Sequence, residues 1–91
     1  MSAKRTDSNQ SSIVAGLRQF GATVVDLHTV GHGCPDIGVG FRGKTYLFEV
    51  KTADGRLTPD EQKFHNEWRG IIYTVRTIEQ AIQILCDDCE E

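Results

Sequence analysis

Residues 35–51 read PDIGVGFRGKTYLFEVK and decide the fold of this 91-residue chain. Two runs rich in β-branched and aromatic residues, Asp36–Phe41 and Lys44–Lys51, flank the dipeptide Arg42-Gly43. Strand-forming runs separated by two residues predict a β-hairpin, and glycine in second place suits its tight turn. Arginine in first place suits the turn less, so the hairpin register is an assumption that a one-residue slip would overturn.

A register with Phe41 opposite Lys44 gives the hairpin two different faces. One face is apolar and predicts a buried core made of Ile37, Val39, Tyr46, Phe48 and Val50. On the other face Asp36 lies opposite Glu49, and alternation places Lys51 on the same side as Glu49. Opposed carboxylates repel each other, and folding alone gives no reason for such a pair.

A divalent cation between Asp36 and Glu49 would remove this repulsion. Mg²⁺ prefers oxygen ligands and keeps several waters, which leaves room for a phosphate, and the backbone carbonyl of Val50 is a third candidate ligand. Lys51 would orient or deprotonate a water molecule, or offset charge in the transition state. The pattern predicts a hydrolytic site for phosphodiester bonds.

The segments before the hairpin predict one helix and one strand. The apolar residues of the helix recur at helical spacing, and Gly21 is its C-terminal stop. The β-branched segment Ala22–His28 predicts a short strand.

The segments after the hairpin predict a helix, a strand and a last helix. Thr58-Pro59-Asp60-Glu61 forms a capping box that begins a helix, which we expect to end at Gly70. Ile71–Val75 predicts a buried strand, and Thr77 caps a final amphipathic helix. The result is an α/β fold in a single domain, residues 1–91, with flexible ends at 1–8 and 87–91.

Composition limits the classes of function. No run approaches the roughly 18 apolar residues of a membrane span, and the polar start is not a secretory signal, so we expect a soluble intracellular protein. The net charge of −3 opposes nucleic-acid binding. However, the last five residues, DDCEE, hold four of the 13 acidic residues, and the remaining chain has ten basic residues against nine acidic ones.

The sequence also resembles a known family. Pro35-Asp36, followed after twelve residues by Glu49-Val50-Lys51, resembles the motif of the PD-(D/E)XK nuclease superfamily. Within it the chain looks most like the small VRR-NUC domains, notably the stand-alone phage and bacterial ones. The resemblance covers about residues 9–85 and rests also on GHGCPDI (31–37), GKT (43–45), LTPDEQ (57–62) and FHNEW (64–68).

This resemblance implies a restriction-endonuclease-like αβββαβ core, with a mixed sheet flanked by helices and here an added C-terminal helix. It implies Mg²⁺ or Mn²⁺ as cofactor and hydrolysis of DNA that leaves a 5′-phosphate. It further implies a homodimer that acts on branched DNA such as four-way (Holliday) junctions. The location would be the cytoplasm of a bacterium or of a phage-infected cell.

Two glutamines become candidate site residues through the resemblance. Many relatives carry on the first helix a glutamate that faces the metal, and Gln10 is the best match here, with Asp7 as the alternative if the helix aligns differently. A glutamine can ligate or hydrogen-bond a metal water but supplies no charge. Gln62 matches a position on the second helix that supports the site.

Four further residues are candidates for DNA contacts. His32 and Gly33 lie in a glycine-rich loop where the backbone can approach a phosphate closely, and Arg42 and Lys44 could reach a DNA backbone. Their presence also has a simpler explanation. His32 and Gly33 can belong to an ordinary loop, and Arg42 and Lys44 can be hairpin charges that keep the protein soluble.

Three other hypotheses stay open at this stage. The protein could be a DNA-binding module whose chemistry has lapsed, because the helix carboxylate is absent. It could bind a host factor through its acidic tail. Cys86 and Cys89 have zinc-like spacing, but a closed zinc site needs four ligands, and Cys34 and a histidine would have to complete it.

Overall fold

The computed structural model describes residues 7–88. Within them the order of helices and strands is that predicted, an αβββαβ core followed by a C-terminal helix. The elements are α1 (Asp7–Phe20), β1 (Thr23–Asp26), a 3-10 turn (His28–Val30), β2 (Ile37–Phe41), β3 (Lys44–Val50), α2 (Pro59–Glu67), β4 (Ile72–Val75) and α3 (Ile78–Asp88). Residues 7, 8, 87 and 88, which were assigned to flexible ends, are helical, and the rest of both ends lies outside the described residues.

The strands form one four-stranded mixed sheet in the order β1-β2-β3-β4. The pairs β1–β2 and β2–β3 are antiparallel, and β3–β4 is parallel. A parallel pair needs a crossover connection, which here contains α2. The predicted mixed sheet flanked by helices is therefore confirmed.

The register of the β2–β3 hairpin is also the predicted one. Phe41 pairs with Lys44 and Ile37 pairs with Phe48. The turn requires positive φ at both of its residues, and Arg42 adopts +52° beside +83° for Gly43. No slip occurs, because it would carry the buried side chains of one of the two strands to the opposite face.

The apolar face of the hairpin is the centre of the core. Its side chains pack against α1 and α3, and the buried set is Ile13, Leu17, Ala22, Ile37, Val39, Tyr46, Phe48, Val50, Val75, Ala81 and Leu85. Burial of each large aliphatic or aromatic side chain stabilises the fold by roughly 1.5–3 kcal/mol. Because this face is filled by two helices, polar groups of β3 must lie on the other face or at the strand ends.

Helix caps match the sequence, whereas several ends of the strands and of α2 do not. Thr58 Oγ1 accepts from Glu61 N at 3.2 Å, Glu61 Oε1 accepts from Thr58 N at 2.9 Å, and Thr77 Oγ1 accepts from Gln80 N at 3.0 Å. The first strand is shorter than expected because a 3-10 turn replaces its end. Strand β2 starts after Asp36 rather than at it. Helix α2 ends before Trp68, where the chain must turn to bring β4 beside β3.

Candidate active site

The two predicted acidic residues meet where β2 begins and β3 ends. Asp36 lies directly before β2, and its Oδ2 accepts a hydrogen bond from Val50 N at 2.8 Å. The register of the hairpin, continued by one pair beyond Ile37 and Phe48, places Asp36 opposite Glu49. The side chain of Asp36 thus takes the place of a backbone partner at the end of the ladder and stays beside the Glu49–Val50 peptide.

Glu49 is an unusual carboxyl group because its side chain is 1% exposed. Burial is the largest cause that raises the pKa of Glu49 to about 9, followed by the charge of Asp36 and a hydrogen bond to it, with Lys51 acting in the opposite direction. Within the described residues, Glu49 Oε1 is buried without a hydrogen-bond partner. A buried polar atom left unpaired costs about 1–3 kcal/mol, which a folding role does not explain.

Lys51 extends the site at the end of β3. Its Nζ lies 3.6 Å from Glu49 Oε2 and 2.7 Å from Glu61 Oε1. Burial by itself would lower the pKa of Lys51, but the hydrogen bond that Lys51 donates to Glu61 and the charges of Glu49, Glu61 and Asp36 outweigh it and raise that pKa. The structure therefore brings Asp36, Glu49 and Lys51 together, as the alternation along the two strands predicts.

Helix α2 contributes two site residues that sequence reasoning missed. Glu61 reaches Lys51, and His65 Nε2 lies 4.0 Å from Glu49 Oε1, itself buried and without a hydrogen-bond partner in the described chain. Residues four apart share one face of a helix, so Glu61 and His65 reach the sheet together. This spacing is visible in the sequence, in which Glu61 also closes the capping box.

Gln62 does not join these residues. Its side chain is exposed, and its Nε2 donates to Asn66 Oδ1 at 3.2 Å. Each residue turns an α-helix by about 100°, so a helix that presents Glu61 and His65 to the sheet directs Gln62 elsewhere. The structure therefore brings Glu61, rather than Gln62, into contact with Lys51.

Helix α1 borders the site from the other side. A cavity of about 830 Å³ lies between α1 and the β1–β2 pair, and both Gln10 and Asp36 line it. Asn9, which was not predicted, donates through Nδ2 to the carbonyl of Lys51 at 2.8 Å and so ties α1 to the end of β3. The side chain of Asp7 lies outside the described part of the structure.

The loop residues considered for DNA binding lie around α2. His32 is exposed with a φ of +56°. Gly33 has a φ of +80°, and a Cβ there would lie 2.2 Å from the carbonyl oxygen of Asp60. Close packing against the start of α2 therefore requires glycine at this position, independently of any ligand.

The hairpin residues considered for DNA binding lie far from the carboxylates. The Arg42 guanidinium sits over the Phe41 ring at 5.4 Å from its centroid, and Lys44 is exposed beside the turn. Arg42 lies six positions after Asp36, or about 20 Å along the hairpin at roughly 3.3 Å per residue. A ligand would have to extend over that distance to contact both.

The donor atoms of the site fit a hard divalent cation. In an antiparallel pair, the N–H and the C=O of one residue point toward the same neighbouring strand. The Val50 N–H points to Asp36, so the Val50 carbonyl points to the same side of β3. Two carboxylates and a carbonyl form an all-oxygen set, which Mg²⁺ and Mn²⁺ prefer. The unpaired Glu49 Oε1 and the raised pKa of Glu49 both fit a cation here. Among residues 7–88 no group of three or more His, Cys, Asp or Glu side chains forms a metal cluster.

Zinc at the cysteines fits less well. Burial, then the charges of Glu49 and Asp36, raise the pKa of the Cys34 thiol, which opposes the thiolate that zinc requires. Cys86 is exposed near the end of α3, and Cys89 lies outside the described residues.

Within residues 7–88, no helix has the length and apolar character needed to cross a membrane.

Comparison with solved structures identifies the fold. One solved structure, described as a VRR_NUC domain, matches this chain with a TM-score of 0.71 and 20% sequence identity. The match covers 98% of this chain and all of the other. No protein-family model and no curated protein matches the sequence. The chain therefore has the fold of a VRR_NUC domain, and the resemblance found in the sequence is confirmed at the level of fold.

Proposed function

We propose that this chain, which has the fold of a VRR_NUC domain, is a metal-dependent endonuclease that hydrolyses phosphodiester bonds in DNA. The observation that carries the proposal is the juxtaposition of Asp36 and Glu49 across the hairpin, beside Lys51. The buried and unpaired oxygen of Glu49 supports it, because stability alone does not favour such a group.

In the proposed mechanism, Asp36, Glu49 and the Val50 carbonyl would hold Mg²⁺ or Mn²⁺. When bound, such a cation lowers the pKa of a water molecule and neutralises charge on the phosphate oxygens. Lys51 donates hydrogen bonds through Nζ to the attacking water or to a phosphate oxygen, where negative charge increases during the reaction. Gln10, at the edge of the same cavity as Asp36, orients a water through its amide.

The proposed substrate is branched DNA, cut by a symmetric homodimer. A dimer with twofold symmetry presents two identical sites, which suits a four-way junction. Several hydrophobic side chains are exposed and available for a subunit interface, among them Val25 (57% exposed), Trp68 (44%) and Ile71 (67%). His32, Gly33, Arg42 and Lys44 are proposed DNA contacts. Measurement of mass in solution tests the dimer, and a monomer at all concentrations contradicts it.

A cleavage assay tests the enzymatic proposal. Purified protein is incubated with linear and four-way junction DNA in Mg²⁺, Mn²⁺ or EDTA. We expect cleavage that requires the metal, and we expect Lys51→Ala to abolish cleavage while it retains the fold. Lys63→Ala is the matched control, because Lys63 is exposed on α2 and pairs with Glu67. Robust Mg²⁺-dependent cleavage by the Lys51 variant would refute its assigned role.

A DNA-binding module without catalysis is the second candidate. The observation that favours it is Gln10, a neutral side chain on the helix that borders the carboxylates. Binding of junction DNA without cleavage under every metal condition would support this alternative over the nuclease.

A further inference from the structure

Lys51 has two carboxylate partners, and they are not equivalent. Its Nζ is 2.7 Å from Glu61 Oε1, which is a charge-assisted hydrogen bond, and 3.6 Å from Glu49 Oε2, which is beyond hydrogen-bond distance. The lysine is therefore held by the glutamate that comes from α2. Glu49, two residues earlier on β3, interacts with Lys51 only by electrostatic attraction.

Glu61 is itself fixed by the start of α2. The same oxygen, Oε1, accepts from Lys51 Nζ at 2.7 Å and from the backbone N–H of Thr58 at 2.9 Å. The backbone N–H of Glu61 donates in turn to Thr58 Oγ1 at 3.2 Å. A reciprocal cap of this kind restricts the rotamer of its glutamate, so the acceptor for Lys51 is placed before any ligand binds.

We propose that Glu61 is a positioning residue that holds the Lys51 ammonium away from Glu49 and so leaves the Glu49 carboxylate available to a divalent cation. This inference rests on the proposed function, in which Glu49 is a metal ligand. Its geometrical basis is the difference between the two Lys51 contacts and the attachment of Glu61 to the helix cap.

The charges of the site agree with this role. When a cation is bound and all four groups are ionised, the carboxylates of Asp36, Glu49 and Glu61 and the ammonium of Lys51 carry a net charge of −2, which matches one divalent cation. Without Glu61, the nearest carboxylate to Lys51 is Glu49. The ammonium would then pair with a ligand atom, and the cation would have to displace it. Removal of Glu61 therefore weakens metal binding although Glu61 is not a ligand.

Metal binding without DNA is the direct test. Titration of the purified protein with Mn²⁺, followed by calorimetry, compares wild type with Glu61→Ala, Glu61→Gln and Thr58→Ala. We expect Glu61→Ala to weaken Mn²⁺ binding by roughly 10-fold or more, as for other residues that orient a metal ligand. Glu61→Gln keeps an acceptor oxygen and falls between wild type and Glu61→Ala. Thr58→Ala removes the Oγ1 acceptor of the Glu61 backbone N–H but keeps the Thr58 backbone N–H that holds Glu61 Oε1, so we expect it to bind Mn²⁺ like wild type.

A double variant tests whether Glu61 acts through Lys51. In a Lys51→Ala background, Glu61→Ala has no ammonium to release, so we expect it to change Mn²⁺ affinity much less than in wild type. An equal loss in both backgrounds, or an equal loss in Thr58→Ala, would overturn the inference. Unchanged Mn²⁺ binding in Glu61→Ala and Glu61→Gln would overturn it too.

Two outcomes separate this inference from the proposed function. If wild type binds Mn²⁺ and cleaves DNA while both Glu61 variants bind Mn²⁺ equally well, only the role of Glu61 fails. If wild type binds no Mn²⁺, the metal site and the role of Glu61 fail together. Circular dichroism of each variant verifies the fold, and Glu61→Gln decides the question if Glu61→Ala does not fold.

Discussion

Glu49→Gln should remove activity and at the same time stabilise the metal-free protein. The folded-state pKa of Glu49 is about 9, against an ordinary value of 4.5, so between these values the folded chain binds a proton that the unfolded chain has released. The stability contributed by this proton is fully present below pH 4.5 and is lost as the pH rises through about 9. Glutamine is neutral at every pH and does not suffer this loss.

The size of the effect follows from the same pKa. Between pH 4.5 and pH 7, each pH unit lowers the free energy of unfolding of the wild type by about 1.4 kcal/mol relative to the glutamine variant. The difference amounts to about 3 kcal/mol at pH 7. For a domain of this size, even 1 kcal/mol raises the Tm by about 4–8 °C. The two proteins should converge in stability near pH 4.5, where the unfolded wild type is also protonated.

Thermal and urea unfolding at pH 4.5, 6, 7 and 8 in EDTA measures this difference. Glu67→Gln is the control, because Glu67 is an exposed partner of Lys63 and we expect a change within about 0.5 kcal/mol. Addition of Mg²⁺ should stabilise wild type but not Glu49→Gln, since only the former keeps both ligands. The reasoning is refuted if Glu49→Gln is less stable than wild type at pH 7 in EDTA, or if the difference does not depend on pH.

Three further predictions, the first with Gly43→Ala as a comparison variant, test other parts of the structure. Gly33→Ala should destabilise the fold by more than about 2 kcal/mol, because the added Cβ would lie 2.2 Å from the α2 backbone. Gly43→Ala should destabilise it less, because Gly43 has a φ of +83° but open space around it. Urea unfolding of both variants compares the two losses. Asn9→Ala removes the bond to the Lys51 carbonyl and should lower stability by about 1–2 kcal/mol together with the cleavage rate, and an unchanged rate would exclude a positioning role. Gln10→Glu adds a carboxylate beside the cavity and should tighten Mn²⁺ binding in calorimetry, whereas weaker binding would place the cation elsewhere.

Local pattern in the sequence determines the hairpin and with it most of the site. The two-residue turn at Arg42-Gly43 predicts the register, and the alternation of apolar side chains favours it, because a slip would expose the core face of one strand. That register places Asp36 and Glu49 opposite each other and Lys51 beside them. These relations depend on residues close together in the chain, so the sequence alone reveals them.

Only the tertiary structure decides what faces this hairpin from elsewhere in the chain. The capping box shows where α2 begins, but it does not show which side of the helix meets the sheet. Packing between distant segments selects that side, and a rotation of about 100° per residue is enough to exchange Gln62 for Glu61. For the same reason the contacts of Asn9 and His65 with the site appear only when α1, α2 and β3 are assembled.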